Sequence, residues 1–469
     1  MFPYSVLVGL TAAISTGSSE LTVYNQGFAL VKEPREITLK KGVQQVVVED
    51  VAQTIEMSSV GIRSVSAPGS FSVLEQNYKY DLIDAEAVLA KAIGKKIAFT
   101  RVLPDGSKER FTGILMSAPR EALPNEGSTT YNGMVIKADD GRIILNPTGE
   151  IEVSETPAGM ISKPSLVWTL DSKTAGLNKI EVSYLTRGLG WDADYVLALD
   201  KDGKKGEIKG WVTLRNNSGT TFEKTKLKLL AGEVHRSDGF QLSTAFIGGS
   251  LKAKKGTMSE ETFSEYHLYT VQQPVTVASN ELKQVSLLEA SNIPIRKRLV
   301  IETGGGSQPD EDKAVGGYFK PVVKYVLMND EASNLGMPFP AGKVKVFQRD
   351  STGSLQMIGE DEIAHTPKKE KITLTAGTTF DIVCERKRTK FAWLNGISKQ
   401  GARETFELEI RNRKNTSETV EVIEEHALEW KVTQKSMEFE RPDAETMLFK
   451  VNLKPQEVKK ITYTVETRW

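Results

Sequence analysis

Cysteine is nearly absent from the sequence, where Cys384 is the single one among 469 residues. An intramolecular disulfide is therefore excluded. A chain this poor in cysteine is compatible with the cytoplasm and also with secreted bacterial proteins that large cores stabilise. In the stretch TFDIVCERKR, Cys384 shares one face of a predicted strand with Phe380 and Ile382. No histidine lies nearby in the sequence, so we predict a small buried hydrophobe rather than a reactive thiol.

An excess of charge of one sign is also absent, since 61 Lys and Arg balance 61 Asp and Glu. Binding to nucleic acid or to an anionic membrane surface depends on a basic field, which this balance does not supply. After the N-terminal stretch, no apolar run reaches the roughly 18 residues that a membrane-spanning helix needs. We therefore predict no nucleic-acid partner and no transmembrane segment.

Motifs that concentrate reactive groups are missing too. The four histidines are far apart in the sequence, and no HExxH or related ligand spacing is present. No GxSxG element marks a nucleophilic serine, and the GGG at 304–306 is not followed by Lys and Ser or Thr, as a phosphate-binding loop requires. The sequence thus predicts a non-enzymatic protein with no metal site and no cofactor.

Most of the chain shows the two-residue periodicity of β-strands. Alternating stretches such as GWDADYVLALD, KTKLKLLAGEV and ETFELEIRNRKNTSETVEVIEEH are separated by short polar turns. This pattern predicts an all-β (mainly β) fold of tandem β-sandwich or immunoglobulin-like domains.

One segment departs from this pattern. In DLIDAEAVLAKAIGKK, Ala87, Val88 and Ala92 have helical spacing, and Asp84 is a candidate N-cap. Five short predicted strands follow, so residues 81–155 resemble a small Sm-like or SH3-like barrel in their order of elements. The barrel is expected to be inserted near the N-terminus of the larger β fold.

These patterns divide the chain into predicted segments. Residues 246–262 lack apolar periodicity and are rich in Gly, Ser and Lys, which indicates a mobile loop. The predicted segments are a candidate signal segment at 1–19, an N-terminal β-sandwich unit at 20–80, the small barrel with one short helix at 81–155, a β-sandwich with the mobile loop at 165–285, and a C-terminal immunoglobulin-like β-sandwich at 286–469.

The first 19 residues, MFPYSVLVGLTAAISTGSS, contain an apolar stretch from Val6 that is followed by small residues. Ala13, Ile14 and Ser15 fit a small-x-small cleavage site, although no Lys or Arg precedes the apolar stretch. We expect a signal segment and a periplasmic or secreted protein. The alternative is an ordinary first strand in a cytoplasmic scaffold.

The stretch SYLTRGLGWDADYVLALDKDGKKGEIKGWVTLRNNSG brings several candidate site residues close together in sequence. Asp192 and Asp194 point to one face of a predicted strand, about 7 Å apart, which is within the range that glycosidic chemistry needs. Neither has the apolar surroundings of a general acid. We therefore predict a solvated strand face, with Arg187 paired to an aspartate to brace the turn at residues 188–190.

Two tryptophans flank the aspartates in this stretch. Trp191 and Trp211 are predicted to pack in the core and between sheets. The alternative is a ligand site in which an exposed tryptophan stacks on a sugar, and its candidate residues are Trp191, Trp211, Asp192, Asp194 and Arg187.

The same stretches carry a family resemblance. VSYLTRGLGWDADYVLALD followed by GWVTLRNNSGTTFEKTKLKLLAGEV resembles the C-terminal portion of mucoidy-inhibitor-A-like bacterial proteins, a domain of unknown function (DUF4139), and the likeness covers residues 165–469. It implies an all-β, mostly exported bacterial protein associated with the envelope, and it implies no activity, cofactor or catalytic residue. Family members carry a long coiled coil where this chain has the barrel at 81–155, so coiled-coil oligomerisation is not expected.

Two functions follow from these observations. The first is a non-enzymatic, exported β-sandwich protein that serves as a structural or adhesive binding module of the bacterial envelope, with an unknown protein or glycan partner. The alternative is a carbohydrate-binding or carbohydrate-active protein that uses exposed Trp and Asp residues. Long strands leave open edges, which would allow a homo-oligomer.

Overall fold

The chain folds almost entirely into β-sheets, as the computed structural model shows, and the all-β prediction is confirmed. The structure describes residues 10–15, 17–81, 83–102, 107–125, 128–155, 160–236, 258–304, 309–312, 315–394, 400–426 and 428–469. The predicted signal segment lies outside the described residues at 1–9 and 16, and the predicted mobile loop lies outside them at 246–257.

The strands of the described residues are numbered in chain order. The first group comprises β1 (Leu10–Ala12), β2 (Ile14–Ser15), β3 (Glu20–Tyr24), β4 (Phe28–Leu39), β5 (Gly42–Glu49), β6 (Gly61–Ser64) and β7 (Phe71–Lys79). Helix α1 (Ala85–Lys91) then precedes β8 (Lys96–Val102), β9 (Lys108–Ser117), β10 (Glu121–Asn125), β11 (Ser128–Asn132), β12 (Val135–Ala138), β13 (Ile143–Leu145) and β14 (Thr148–Glu152).

The remaining strands belong to the second half of the fold. They begin with β15 (Ser165–Ser172), β16 (Gly176–Arg187), β17 (Leu189–Leu199), β18 (Lys205–Asn216), β19 (Phe222–Ala231), β20 (Met258–Phe263), β21 (Tyr266–Val271), β22 (Val275–Val277) and β23 (Glu281–Pro294). They continue with β24 (Arg296–Gly304), β25 (Gly316–Phe319), β26 (Val322–Met328), β27 (Gly342–Arg349), β28 (Leu355–Ile363), β29 (Lys371–Thr378), β30 (Ile382–Trp393), β31 (Gly401–Asn412), β32 (Glu418–Glu425), β33 (Glu429–Lys435), β34 (Thr446–Leu453) and β35 (Val458–Arg468). Short 3₁₀ turns are formed by Met57–Ser59 and Glu331–Ser333.

The N-terminal strands and the strands after the barrel form one sandwich. One sheet has the order β1-β5-β15-β7, and the other has the order β20-β21-β19-β3-β4-β16-β6, with β2 beside β4 and β22 beside β19. Leu21, Trp168 and Tyr184 are fully buried in the core that both sheets share. Residues 20–80 and 165–285, which the sequence predicted as two separate units, therefore contribute to one shared core. Local alternation reveals hairpins, but β3 pairs with β19 and β5 pairs with β15 across the intervening barrel.

The segment between the two halves of this sandwich has its own core. Its sheet has the order β10-β11-β14-β8-β9-β12-β13 and packs around Leu89, Phe99 and Leu115. The predicted N-cap is present, because the Asp84 carboxylate accepts a hydrogen bond of 2.8 Å from the backbone N–H of Ala87. The sheet has seven strands where the sequence pattern indicated five.

Three five-stranded sheets complete the described fold, with the orders β23-β18-β17-β27-β28, β29-β26-β24-β32-β34 and β25-β30-β31-β35-β33. The first contributes Tyr195 and Val212 to the core of the N-terminal sandwich. The other two surround a second core that includes Phe449 and Tyr463. Cys384 is fully buried in that second core, as predicted for a small hydrophobe.

Two predicted boundaries differ from these sheets. The boundary at 285/286 falls inside β23, and β27 and β28 belong to the sheet of β17 rather than to the C-terminal sandwich. Strand β27 pairs with β17 in parallel, and a parallel pair has no hairpin that the sequence could reveal. Residues 258–262 of the predicted mobile loop form part of β20, which pairs with β21.

A fully buried asparagine closes the end of β18. The Asn216 Nδ2 donates to the carbonyl oxygens of Thr220 at 2.9 Å and Val277 at 3.1 Å. Its Oδ1 accepts from the backbone N–H of Ser218 at 3.1 Å. One side chain thereby satisfies backbone groups that the turn would otherwise leave buried without partners.

The end of β31 carries the same arrangement in the second core. Asn412 is also fully buried. Its Nδ2 donates to the carbonyl oxygens of Thr416 and Lys454, both at 2.9 Å, and its Oδ1 accepts from the backbone N–H of Lys414 at 3.0 Å. In both places a buried asparagine therefore closes a loop that leads from one sheet to another, from β18 to β19 and from β31 to β32, although the sequences differ around it.

We predict that Asn216→Ala lowers the free energy of unfolding by about 2–4 kcal/mol, because it leaves several buried backbone groups unpaired. The neighbouring Asn217 is exposed, so Asn217→Ala is the matched control and should change stability by less than about 0.5 kcal/mol. Urea unfolding followed by tryptophan fluorescence measures both. Equal effects of the two substitutions would contradict this role of Asn216.

Candidate functional site

The candidate residues from the sequence lie on β16, β17 and β18. Along β17, Trp191, Ala193 and Tyr195 face the core, and Asp192 and Asp194 face outward. The pairing of β17 with β18 sets Asp192 opposite Thr213 and Asp194 opposite Trp211. The alternation of the strands thus places Asp192, Asp194 and Trp211 on one outward face and separates them from Trp191 and Arg187.

Trp191 is a core residue with 2% of its surface exposed. Its indole Nε1 donates a 3.0 Å hydrogen bond to the carbonyl oxygen of Val23 on β3. Its ring meets that of Tyr269 edge to face, with centroids 6.5 Å apart. Trp191 therefore joins the sheet of β17 to the N-terminal sandwich, as predicted, and is not accessible to a ligand in the folded chain.

Arg187 belongs to a different sheet, where it ends β16. Its Nε lies 3.3 Å from Glu56 Oε1, and Arg236 Nη2 lies 2.7 Å from the other carboxylate oxygen of Glu56. The predicted pairing of Arg187 with one of the two aspartates of β17 is wrong, because Asp192 pairs with Arg215 at 2.6 Å and Asp194 accepts a hydrogen bond from Thr213. Neighbours across strands, rather than neighbours in sequence, decide which charges meet.

Trp211 lies on the outer face of the sheet with 38% of its surface exposed, so the packing predicted for it is wrong. The side chains of β18 alternate without interruption, so Trp211 points outward between the buried Gly210 and Val212. The register between β18 and β23 shifts beside it, where Gly210 pairs with Leu288 and Trp211 with Ser286, and the extra residue of this bulge belongs to β23. A Cβ at Gly210 would lie 3.0 Å from Leu288 Cγ and 3.1 Å from Tyr195 Cδ1, which favours glycine at this position.

Hydrogen-bonding side chains surround the exposed indole. Gln284 Nε2 donates to Thr213 Oγ1 at 3.2 Å, and Thr213 Oγ1 donates to Asp194 Oδ2 at 2.8 Å. We call this outward surface the Trp211 face, and its members are Asp192, Asp194, Trp211, Thr213, Arg215 and Gln284. It is a flat sheet surface with one aromatic ring among ordered polar groups.

The sequence analysis identified only part of the Trp211 face. Asp192, Asp194 and Trp211 were candidates, whereas Thr213, Arg215 and Gln284 were not. Thr213 and Arg215 alternate with buried residues on β18, so the outward pattern could have indicated them. Gln284 comes from β23, and only the register of that strand places it opposite Thr213.

Three of the four histidines have identified ring contacts. His267 Nδ1 lies 2.9 Å from Glu260 Oε1, and His365 Nδ1 accepts from the backbone N–H of Ala341 at 3.1 Å. The His426 ring stacks on Trp430 with centroids 4.7 Å apart. In the described part of the chain, no three His, Cys, Asp or Glu side chains come together as metal ligands.

Burial changes the titration of two buried groups in the C-terminal sandwich. It raises the pKa of the Cys384 thiol to about 12. It lowers the pKa of His426 to about 4, against a smaller opposing effect of Glu424. Cys384 is therefore a thiol and His426 a neutral imidazole at neutral pH.

A cleft of about 310 Å³ lies away from the Trp211 face, between the edge strands β6 and β7. It is lined by Ile62, Arg63, Ser64, Pro68, Gly69, Phe71 and Val73. Its charged side chain, Arg63, is paired with Glu181 at 2.8 Å. None of the residues singled out in the sequence lines this cleft.

The fold and the site define a multi-sheet β-sandwich protein with a flat polar and aromatic sheet face. Residues 180–469 match the family described as a domain of unknown function (DUF4139), which covers more than half of the chain. The chain therefore belongs to the DUF4139 family, and the Trp211 face lies within the matched part. The further likeness to mucoidy-inhibitor-A-like proteins stays a prediction. No curated protein matches the chain.

The sequence analysis predicted no transmembrane segment, and the helices of the structure can be compared with this prediction. Among the residues that the structure describes, no helix is long and apolar enough to cross a membrane.

We predict that acid destabilises the protein partly through His426. The unfolded chain binds a proton at His426 below its ordinary pKa of 6.5, and the folded chain does so only near pH 4. The free energy of unfolding should therefore fall as the pH drops from about 6.5 towards 4, with a contribution from His426 of up to about 3 kcal/mol. Urea unfolding at several pH values measures this slope.

The matched variants are His426→Gln and His235→Gln, since His235 is exposed. The His426→Gln protein should lose stability less steeply between pH 6.5 and 4 than the parent, whereas His235→Gln should follow the parent. Glu424, Arg386 and Arg441 face His426 and are unchanged in both variants. Identical slopes for all three proteins would show that His426 does not titrate as its burial requires.

Proposed function

We propose that this DUF4139 protein is an exported, non-enzymatic binding module of the bacterial envelope, with a structural or adhesive role, and that the Trp211 face is its contact surface. The observation that carries the proposal is the position of Trp211, a large aromatic side chain with 38% of its surface exposed, on the same sheet face as Arg215 and two carboxylates. Trp and Arg are among the residues enriched where proteins contact partners.

The scaffold beneath the Trp211 face supports this role. Tyr195 and Trp191 on the inner side of β17 are buried and hydrogen-bonded, Tyr195 through its hydroxyl to the carbonyl oxygen of Pro340 at 2.8 Å. A surface whose backbone is held by a packed core loses little conformational freedom when it binds. The face is thus prepared for contact before a partner arrives.

The arrangement of the aspartates supports binding rather than catalysis. Asp192 pairs with Arg215, and Asp194 accepts a hydrogen bond from Thr213. Both carboxylates are held sideways along the sheet by neighbouring donors. Glycosidic catalysis instead uses two carboxyl groups that flank one bond of the substrate. The carbohydrate-active reading of Asp192 and Asp194 is therefore the less favoured alternative.

The export part of the proposal rests on the N-terminal sequence pattern. Strands β1 and β2, at residues 10–15, pair with β5 and β4. Cleavage after Ser15 would remove both short strands from the edge of their sheets. The larger part of each sheet does not depend on them, which is compatible with processing at this position.

We predict that protein recovered from the periplasm or the medium lacks residues 1–15 and starts after Ser15. Cell fractionation followed by N-terminal sequencing tests this directly. A cytoplasmic protein that retains its first residues would overturn the export proposal and favour the cytoplasmic scaffold.

We predict that Trp211→Ala weakens binding of the purified protein to envelopes of its source cell at least tenfold, about 1.4 kcal/mol. Because only 38% of the Trp211 surface is exposed, neighbouring side chains cover the rest, and the substitution should lower the free energy of unfolding by about 1–2 kcal/mol and leave the protein folded. Co-sedimentation with isolated envelopes measures binding.

The matched control is Tyr318→Ala, which removes another exposed aromatic ring from the outer side of the C-terminal sandwich. Its binding should equal that of the parent protein. Envelope binding that survives Trp211→Ala, or that is lost equally with Tyr318→Ala, would remove the Trp211 face from the proposal.

A further inference from the structure

We infer that the Trp211 face recognises a neutral, hydroxyl-rich glycan chain. This inference rests on the proposed function and names the chemical class of its partner. Three properties of the face lead to it: the exposed aromatic ring, the ordered hydrogen-bonding groups beside the ring, and the pairing of the charges.

The aromatic ring supplies the apolar part of the contact. A sugar ring presents C–H groups on its face, and their slight positive charge complements the negative face of an indole. Trp211 lies on the outer side of the sheet with 38% of its surface exposed, so a chain that extends across the strands can contact the exposed part of its ring.

The polar groups supply acceptors and donors for hydroxyl groups. The Thr213 hydroxyl donates to Asp194 and accepts from Gln284. These two bonds leave the second Asp194 oxygen and the Gln284 carbonyl as acceptors, and one Gln284 N–H as a donor. Sugar hydroxyls both donate and accept, so this mixed set suits them.

The spacing of these groups matches the size of a sugar ring. Asp194 lies directly across from Trp211 on the neighbouring strand, where such pairs have Cβ atoms about 5 Å apart. Thr213 is two residues along the strand from Trp211, which places it about 7 Å away on the same face. A sugar stacked on the indole therefore has polar partners on two sides.

The electrostatics favour a neutral glycan over an acidic one. Asp192 pairs with Arg215 at 2.6 Å on the face itself. Next to the face, Lys209 Nζ lies 2.9 Å from Glu289 Oε1. On the other side of Asp194, Lys343 Nζ lies 4.0 Å from Glu362 Oε1, and the exposed Lys345 follows it on β27. Because Arg215 and Lys209 are paired with carboxylates, an anionic polysaccharide stacked on the indole would have to break these pairs or bind beside the Asp194 carboxylate. Binding to the neutral chain should therefore depend little on salt.

Contact with one sugar on a flat face is weak, and a polymer compensates for this by offering many equivalent units. We therefore choose polymeric probes for the test. Affinity electrophoresis in gels that contain dextran, mixed-linkage β-glucan or galactomannan reports neutral glycan binding, and polygalacturonate serves as the acidic probe. Each gel is run at low and at high salt concentration with the full chain.

The expected result is retardation by at least one neutral polysaccharide that changes less than twofold between 0.05 and 0.5 M salt, about the range over which surface charges become screened. Trp211→Ala should weaken this binding at least tenfold, Gln284→Ala by a smaller factor, and Trp211→Phe should restore part of it. Tyr318→Ala should bind as the parent does. A single cooperative thermal transition, well above the temperature of the assay, shows that the fold of each variant is intact.

Two results would overturn the inference and leave the proposed function standing. The first is envelope binding that requires Trp211 without retardation by any neutral polysaccharide, which indicates a protein partner. The second is retardation by polygalacturonate alone, abolished by high salt. If envelope binding itself does not require Trp211, the proposed contact surface and the glycan inference both fail.

Discussion

The pleat of the paired strands β17 and β18 is the constraint on which the rest of the structure depends. Successive side chains on a strand point to opposite faces. Trp191 therefore enters the core, where it donates to Val23 of the N-terminal sandwich, and its neighbour Asp192 points to solvent. The same two strands lie inside the sheet β23-β18-β17-β27-β28 and present the Trp211 face on its outer side. The packed core on the inner side holds the backbone of that face in place.

The two carboxylates of the Trp211 face bind neighbouring side chains on the same face of the sheet. Arg215 holds Asp192, and Thr213 holds Asp194, so both carboxylates lie along the sheet. Such groups can orient a partner, and the exposed side chains of Trp211 and Leu282 supply apolar contacts beside them. This combination favours recognition of an extended partner over chemistry on a small substrate. The buried His426 and Cys384 lie in the other core, where burial keeps both uncharged at neutral pH.

Local patterns in the sequence predicted the all-β fold, the helix cap at Asp84, and the burial of Trp191 and Cys384, because each depends on residues close in sequence. The partner of Arg187 and the division into domains depend on which strands pair, and several of those pairs are parallel or span the barrel. For Trp211, alternation along β18 gave a direction opposite to that of Val212, and the structure agrees. Its exposed fraction of 38% depends on which side chains of β17 and β23 lie beside it, and only the pairing of the strands reveals these.

The accessibility of the two tryptophans tests the central claim most directly. Hydroxyl-radical footprinting with mass spectrometry compares oxidation of Trp191 and Trp211 in the free protein and in the protein bound to envelopes. We expect Trp211 to be oxidised much faster than Trp191 when free and to become protected on binding, while Trp191 stays protected throughout. Similar oxidation rates of the two residues in the free protein, or a Trp211 that remains fully reactive in the bound protein, would contradict this account.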